Sequence, residues 1–213
     1  MSGPDTVTLA LLERWLSGWS RSRGLPLPRH AGGGLVVDVG WPGQLRRHVF
    51  PDAGVALRTC AAGIHPPFVH LKAAVDAELL REALPAGWTI EAPAYLMRHC
   101  GPMTPAHTLA FGYDIDLSVE HGAYVVRVAD GTGAIAASGR ITLHDGTAVF
   151  DRIETLEPHR RKGLASVVML ALDQLACQAG VTERLLVATE AGTALYASLG
   201  WLHVAPWSTA VLR

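Results

Sequence analysis

The segment LEPHRRKGLASVV, residues 156–168, brings three consecutive cations to the start of a predicted helix. The amino end of a helix already carries about half a positive charge, so each added cation costs roughly 0.3–1 kcal/mol at a surface site. Gly163 and the small Ala165 and Ser166 leave the backbone amides open to a ligand. The cations at 160–162 can hold the same ligand from its other side. The segment therefore predicts a site for a phosphate-bearing ligand.

The sequence on both sides of this segment indicates the fold. Four strand-like runs lie between residues 111 and 156, and the short turns EHG, GTG and DG separate them. After the cations come a helix over 160–179, the strand RLLVATE, the short helix AGTALYASL and the terminal strands WLHV and STAVL. A meander followed by this alternation predicts an α+β fold with one mixed, mostly antiparallel central sheet flanked by helices.

The first 108 residues have a mixed α/β pattern of their own. The turn-rich string GPMTPAHT, residues 101–108, predicts a boundary between a region 1–108 and a domain 109–213. Leucines and tryptophans three and four residues apart predict an amphipathic helix over 6–23. The other elements predicted in this region are strands at GGGLVVDVGWPG (32–43) and VALRTC (55–60), and a helix at FVHLKAAVDAELLREAL (68–84).

A weak internal echo connects the two regions. GWTIEAPAYLM, residues 87–97, and GWLHVAPWSTAV, residues 200–211, share the pattern G-W-x-x-x-A-P, and each follows a predicted helix. Two interpretations stay open: residues 1–108 are a degenerate copy of the second half, or they form one wall of the site for a second ligand. The Trp, Pro and apolar content of this region favours an uncharged or aromatic ligand there.

The composition argues against several classes of function. A formal net charge of −1 leaves no surplus of cations for a broad nucleic-acid or membrane surface. Three widely spaced cysteines, Cys60, Cys100 and Cys177, predict neither disulfide bonds nor a zinc knuckle, and no ligand spacing predicts a metal site. The sequence shows no signal-peptide pattern and no membrane-length apolar run, so we expect a cytoplasmic protein without membrane partners.

Two spaced motifs carry a resemblance to a known family. The P-loop and dinucleotide motifs are absent, and R-x-x-G-x-A remains in RRKGLA, directly after DRIETLEPH. The second motif is LLVATEAGTALYASLGW, with a strand, a short helix and a Leu-Tyr-x-x-x-Gly-aromatic ending. On these motifs, residues 109–213 resemble the GNAT superfamily of acyl-CoA-dependent N-acetyltransferases. Two departures are Thr155-Leu156-Glu157 where many relatives have V-x-P, and Thr189 with Glu190 where relatives often have asparagine.

The resemblance implies acetyl-CoA as the cofactor. Backbone N–H groups across 161–166 would bind the pyrophosphate of CoA, and the end of the preceding strand would pair with the pantetheine amides in a gap beside LLVATE. The residues implied in cofactor binding are Ile153, Thr155, Leu156, Arg160, Arg161, Lys162, Gly163, Leu164, Ala165, Ser166 and Thr189.

A proton donor and an electrophilic contact are also implied by the resemblance. Tyr196 stands where many relatives keep a tyrosine that protonates the departing thiolate, and phenol and thiol pKa values of about 10 and 8.5 permit that transfer. A backbone N–H near Thr155 or Leu156 would polarise the thioester carbonyl.

A carboxylate is expected to take a proton from the acceptor, because an alkyl ammonium of pKa about 10.4 is only ~0.1% neutral near pH 7. Asp151 and Glu154 are the candidates on the strand. Strict alternation places them on opposite faces of the sheet. The family pattern favours Asp151, on the same side as Ile153 and Thr155, and leaves Glu154 second.

These features together predict an enzyme. We expect acetyl transfer from acetyl-CoA to a primary amine of a small molecule or peptide, by direct attack in a ternary complex. The alternative is a non-catalytic acyl-CoA-binding or protein-interaction module on the same fold. The sequence leaves monomer and homodimer equally open, and it shows no basic and aromatic interleaving typical of an RNA-binding module.

Overall fold

The computed structural model of the protein describes residues 7–104 and 107–213. These two stretches form five α-helices, a short 3-10 helix at Glu157–His159, and twelve β-strands. The helices are α1 (Leu9–Arg21), α2 (Val55–Ala62), α3 (Ala77–Ala83), α4 (Leu164–Gln178) and α5 (Glu190–Ser198). The strands are β1 (Arg29–Ala31), β2 (Gly34–Trp41), β3 (Gln44–Phe50), β4 (Val69–Ala73), β5 (Trp88–Ile90), β6 (Ala94–Cys100), β7 (Tyr113–Glu120), β8 (Ala123–Asp130), β9 (Ile135–His144), β10 (Thr147–Thr155), β11 (Glu183–Thr189) and β12 (Leu202–Leu212). None of the helices within these stretches is long and apolar enough to span a lipid bilayer.

All twelve strands join one sheet, in the order β1-β2-β3-β4-β12-β6-β11-β10-β9-β8-β7, with β5 paired to β12 outside this path. Two neighbouring pairs are parallel, β3 with β4 and β10 with β11, and the others are antiparallel. A crossover helix joins each parallel pair, α2 for the first and α4 for the second. The predicted α+β fold with a mixed, mostly antiparallel sheet is confirmed.

The same order of elements occurs twice along the chain. A meander, a crossover helix, a parallel strand, a short helix and further strands run from β1 to β6 and again from β7 to β12. The two sets exchange strands at the centre of the sheet, because β12 pairs with β4 and β6 pairs with β11. The two A-P echoes meet there, with Pro206 opposite Tyr95. The division into regions 1–108 and 109–213 stays a prediction.

The helices cover the two faces of the sheet unequally. Val49 belongs to the apolar cluster around α1, whereas its neighbour Phe50 belongs to the cluster around α2 and α3. Leu185 and Leu186 divide in the same way between the α1 cluster and the α4 cluster. Because neighbouring strand residues point to opposite faces, α1 lies on one face and the other four helices lie on the other.

Two predicted elements of the first region were wrong. Residues 55–62 form α2 and not a strand, although Val, Thr and Cys favour strands, because Leu57 and Ala61 lie four residues apart and are both buried. Residues 68–84 form β4 followed by α3 instead of one helix. Burial alternates along β4, and Asp76 ends the extended stretch by accepting a hydrogen bond from the Leu79 amide at the start of α3.

Candidate active site

A gap between β10 and β11 forms the centre of the site. The two parallel strands pair only at Thr147–Val149 with Glu183–Leu185. Beyond these positions β10 continues along β9, and β11 continues along β6, but they no longer pair with each other. Their facing edges therefore present backbone N–H and C=O groups to a gap, which a ligand can satisfy. We call this gap the wedge.

A cavity of about 800 Å³ opens from the wedge on the side of α4 and α5. We call it the wedge cavity. It is lined by His107, Ile153, Glu154, Thr155, Arg160, Arg161, Gly163, Leu164, Ala165, Ser166, Thr189, Ala191, Gly192, Ala194, Leu195, Tyr196 and Ser198. Most of the residues that the sequence predicts for cofactor binding are thus brought together in one place.

The amino end of α4 is free to bind an anion. Gly163 precedes the helix with φ of 74° and ψ of 3°, no side chain caps the helix, and its first turn has no acidic residue. The first bond of the helix runs from the Val167 amide to the Gly163 carbonyl at 3.1 Å, so the amides before Val167 have no partner within the helix. A side chain at position 163 would be strained, and its Cβ would lie 3.1 Å from the His107 ring. This position therefore requires glycine.

Two of the three cations of the loop line the wedge cavity, and the third does not. Arg160 and Arg161 line the wedge cavity, and the Arg160 Nε donates to the Thr155 carbonyl at 3.2 Å. Lys162 lies outside the lining and donates from its Nζ to the Tyr113 hydroxyl at 3.0 Å. Leu156 is also outside the lining, and it is 44% exposed. Neither Lys162 nor Leu156 therefore borders the cavity that the other predicted cofactor residues share.

A β-bulge in β10 changes the predicted direction of the two carboxylates. Asp151 pairs with Arg140 and Glu154 pairs with Ser138, so two residues of β10 face a single residue of β9 between these pairs. Arg152, inside the bulge, has φ of 51°. Residues opposite each other share a face, and Arg140 and Ser138 lie two apart. Asp151 and Glu154 therefore lie on one face, and the prediction of opposite faces was wrong.

Tyr196 is placed by α5 at the wall of the wedge cavity. Its side chain is buried, and Gly192 leaves room for its ring, since a Cβ at 192 would lie 3.0 Å from Tyr196 Cε2. Burial, together with the negative charge of Asp151, raises the pKa of Tyr196 to about 12. The phenol is therefore protonated throughout the physiological pH range, as a proton donor has to be.

A second cavity, of about 510 Å³, lies on the face of the sheet that α1 covers. We call it the tryptophan cavity. Its lining residues are Trp15, Trp19, Arg47, Lys72, Glu91, Ala92, Pro93, Ala94, Asp151, Val187, Thr189, Glu190, Ala191, Trp207 and Thr209. Thr189 and Ala191 line both cavities, so the two meet at the open end of the wedge.

Asp151 lines the tryptophan cavity and forms an ion pair with Arg23, two residues after the end of α1. Its Oδ2 lies 2.7 Å from a terminal nitrogen of Arg23. The Arg23 guanidinium also lies 4.3 Å from the centre of the Trp19 ring. Burial lowers the pKa of Arg23 to about 10, against the opposing effect of Asp151, so the arginine stays charged near neutral pH. Asp151 is thus a fixed carboxylate beside the wedge.

Comparison with known proteins gives the family. The model for the acetyltransferase (GNAT) family matches residues 78–201, more than half of the chain. The chain belongs to the GNAT family. The match begins within α3, before the predicted boundary at residue 108, and runs to the Gly-Trp pair after α5. A comparison with curated proteins gave no match.

Solved structures show the same fold at low sequence identity. A GCN5-related N-acetyltransferase from Kribbella flavida is 17% identical, with a TM-score of 0.63 and 92% of each chain covered. Another from Sphaerobacter thermophilus is 12% identical, with a TM-score of 0.59 and coverage of 85% of this chain and 77% of that one. A tandem GNAT protein from the clavulanic acid biosynthesis pathway is 14% identical, with a TM-score of 0.58 and coverage of 85% and 80%. At these identities the likeness concerns the fold alone.

The residues of this GNAT chain fit acetyl-CoA. The wedge offers unpaired strand edges, α4 offers free amides beside two arginines, and the cavity volume suits an extended ligand. The Thr155 Oγ1 is buried without a hydrogen-bond partner at the cavity wall. The Leu156 amide is not free to polarise the thioester carbonyl as predicted, because it donates to the Ala136 carbonyl at 2.9 Å. Among the described residues no group of His, Cys, Asp and Glu could hold a metal ion.

Several residues that line the two cavities were not predicted from the sequence. The small residues of α5 and His107 line the wedge cavity, and the recurring Ala and Gly in EAGTALYAS are the signal that could have indicated a close approach to α5. Arg47, Lys72 and the tryptophans of α1 line the second cavity. No local pattern marks them, because they come from strands and a helix that are far apart in sequence.

Proposed function

We propose that this chain transfers an acetyl group from acetyl-CoA to a primary amine of a small molecule or peptide, by direct attack within a ternary complex. The observation that carries the proposal is the wedge, which opens into both cavities at Thr189 and Ala191. A cofactor on one face and an acceptor on the other could meet there without an acyl-enzyme.

The wedge cavity would hold the cofactor. Acetyl-CoA supplies an acetyl group activated as a thioester. The free amides from Gly163 to Ser166 would bind the pyrophosphate, with Arg160 and Arg161 adding charge-assisted hydrogen bonds. The exposed edge of β10 at Ile153 and Thr155 would pair with the pantetheine amides.

Tyr196 and a carboxylate would move the protons. The ammonium of the acceptor loses two protons while the C–N bond forms and the C–S bond breaks; Tyr196 protonates the thiolate, and one proton is released overall. Asp151 lines the tryptophan cavity and can accept a hydrogen bond from the ammonium directly or through water, whereas Glu154 lies on the same face of the sheet but does not line that cavity. Asp151 is therefore the preferred base.

Two further parts of the proposal concern the whole chain. The repeated order of elements, the G-W-x-x-x-A-P echo and the similar fold of a tandem GNAT protein support residues 1–108 as a degenerate copy of the second half. The three cysteines are unpaired, which supports a reducing cytoplasmic location.

A two-stage experiment tests the activity. Thermal unfolding is first followed with CoA and acetyl-CoA, since a ligand at 100 times its Kd stabilises a protein by about 2.7 kcal/mol. Release of CoA is then measured with a panel of primary amines. Binding followed by turnover supports the transferase. Binding without turnover of any amine would favour the non-catalytic acyl-CoA-binding module, and the absence of any thermal shift would contradict both.

A further inference from the structure

The tryptophan cavity contains a buried arginine that has no acidic partner. Arg47 on β3 is only 8% exposed and lines the cavity. Its guanidinium lies 3.5 Å from the centre of the Trp19 ring, and among the described residues its hydrogen-bond partner is the Gln44 side-chain oxygen at 3.3 Å. Within residues 7–104 and 107–213, no carboxylate reaches Arg47 at ion-pair distance. A buried cation without an ion-pair partner is costly, and an anion bound beside it would offset that cost.

Lys72 is a second cation of the cavity that has no carboxylate at ion-pair distance among the described residues. Lys72 on β4 lines the cavity, and its Nζ donates to the Thr209 Oγ1 at 2.7 Å. No carboxylate of the described chain lies within ion-pair distance of Lys72 either. Burial, with the charge of Arg47 adding to it, lowers the pKa of Lys72 to about 7. An anion bound between the two cations would reverse this effect and restore the charge of the lysine.

The remaining walls of the cavity are apolar and flat. Trp15 and Trp207 pack edge to face with ring centres 4.8 Å apart, and Trp19 completes the aromatic wall. Such walls suit an apolar or aromatic spacer, which agrees with the aromatic acceptor that the composition favours. The cations contradict an uncharged acceptor.

Two acidic residues, Asp151 and Glu91, also line the cavity, and neither forms an ion pair with Arg47 or Lys72. Asp151 enters from β10 beside the wedge, where Arg23 already neutralises it. Glu91 is exposed and makes no ion pair among the described residues, although its charge acts on both Arg47 and Lys72. The cations enter from β3 and β4, which β12, β6 and β11 separate from β10. The cavity is therefore cationic at one end and open to the wedge at the other.

We propose that the acceptor is an amino carboxylate, whose carboxylate binds Arg47 and Lys72 while its amine reaches the wedge beside Asp151. This assignment rests on the proposed function. A carboxylate fits better than a phosphate, because the two positive charges of Arg47 and Lys72, reduced by the negative charge of Glu91, leave one positive charge for a single negative one. The tryptophans would hold the spacer between the two polar ends.

Ligand binding tests the anion site without any need for turnover. The full chain, saturated with CoA, is titrated with 3-phenylpropionate and with 3-phenylpropionamide, and tryptophan fluorescence is recorded. We expect the carboxylate to bind at least about tenfold more tightly than the amide, since hydrogen bonds to charged groups exceed neutral ones by that order. The preference should disappear in Arg47→Gln and persist in part in Arg47→Lys, which retains the charge.

A matched control is available on the same strand. Arg46 is the neighbour of Arg47, points to the other face and pairs with the exposed Asp38. Arg46→Gln should leave the preference unchanged. Equal binding of carboxylate and amide, or a preference that survives Arg47→Gln, would overturn the proposal. Tighter binding of 3-phenylpropylphosphonate than of the carboxylate would overturn the assignment to a carboxylate.

Turnover separates this proposal from the proposed function. CoA release is measured with 4-(aminomethyl)benzoate and 4-(aminomethyl)benzamide, whose amines ionise alike. We expect kcat/KM at least about tenfold higher for the carboxylate, with the difference lost in Arg47→Gln. Equal turnover of the two amines would remove the amino-carboxylate assignment and leave the transferase intact. No turnover of these two or of any other amine in the panel, with a carboxylate preference in the binding experiment, would remove the transferase and leave the anion site.

Discussion

The two parallel strand pairs of the sheet have the same connections and different geometry. β3 and β4 are joined through α2 and pair at five successive positions, Arg46–Phe50 with Val69–Ala73. β10 and β11 are joined through α4 and pair at three positions before they part. The order of elements alone therefore does not create a wedge. A wedge requires that the two strands separate after a few pairs.

The helices beside the two strand pairs also differ, and only those of the second set have the features expected of a cofactor site. Gly54 precedes α2 with an ordinary φ of −77°, whereas Gly163 precedes α4 in the left-handed region. Counting back from the Gly-Trp pair that follows each short helix, Ala83 stands where Tyr196 stands. The first set of elements thus lacks the gap, the special turn and the acid. It contributes Arg47 and Lys72 to the tryptophan cavity instead.

The largest expected effect concerns Tyr196, which has no counterpart in the first set. Tyr196→Phe removes the hydroxyl that we propose as the proton donor, and we expect kcat to fall by about 100-fold or more while acetyl-CoA binding changes little. Steady-state kinetics with the best amine and titration calorimetry measure the two quantities. Tyr124→Phe, on β8 and away from both cavities, is the control. An unchanged kcat would show that Tyr196 is not needed for the reaction, and that the difference between α5 and α3 at this position has no catalytic effect.

The next largest effect concerns protein stability at Val149, whose pairing with Leu185 is the last one before the wedge. Gly18 of α1 packs on Val149, and a Cβ at position 18 would lie 2.4 Å from the Val149 Cγ2. We expect Gly18→Ala to lower the free energy of unfolding by about 1–3 kcal/mol through overpacking. Urea denaturation measures it. Gly43→Ala, with open space around it, should cost little.

A double variant gives this prediction a sharper form. Val149→Ala removes the methyl groups that Gly18→Ala would meet, so the double variant should be less destabilised than the sum of the single variants. Simple additivity would show that α1 does not clamp the last paired position of β10.

A smaller effect is expected from the cations before α4. Arg160→Gln with Arg161→Gln should raise the Kd for acetyl-CoA by about tenfold, because two charged donors at the pyrophosphate become neutral. Arg58→Gln on α2 should leave the Kd unchanged, since β3 and β4 stay paired beside it. Calorimetry should also give one acetyl-CoA per chain. Two bound acetyl-CoA molecules per chain would mean that β3 and β4 also separate to bind a ligand, which would contradict their continuous pairing.

The smallest effect is a pH dependence that belongs to the first set. The folded state lowers the pKa of Lys72 from 10.5 to about 7, so between these values the unfolded chain binds more protons than the folded one. The lysine contribution to stability therefore increases as the pH rises through 7. We expect the free energy of unfolding of the wild type to gain about 1 kcal/mol relative to Lys72→Met between pH 7 and 8. If the free energy of unfolding of the two proteins changed with pH in the same way, the pKa of Lys72 would not be lowered by folding.

Local signals in the sequence predicted the second set of elements well. The hairpin turns, the helix after the cations and the Gly-Trp ending each depend on neighbouring residues, and α4 and α5 lie where these signals place them. The cationic turn likewise predicted the free helix end, because the charge at the end of a helix is a local property.

The remaining features depend on contacts between distant segments. The bulge at Arg152 reverses the alternation of β10, and only pairing with β9 reveals it. Residues 55–62 contain strand-favouring side chains, and packing of Leu57 makes them helical. The tryptophan cavity combines α1, β3, β4, β10 and β12, so no window of sequence contains it.

The exchange of β6 and β12 has a consequence for how the chain reaches its final form. β4 lies against β12, which is synthesised after every other strand of the sheet. While a ribosome is still making the second set, that flank of β4 has no permanent neighbour, and the growing chain is open to mispairing with other nascent chains. Cleavage between β6 and β7 would leave two fragments that each contain a strand required by the other, so they should regain structure only when they are mixed.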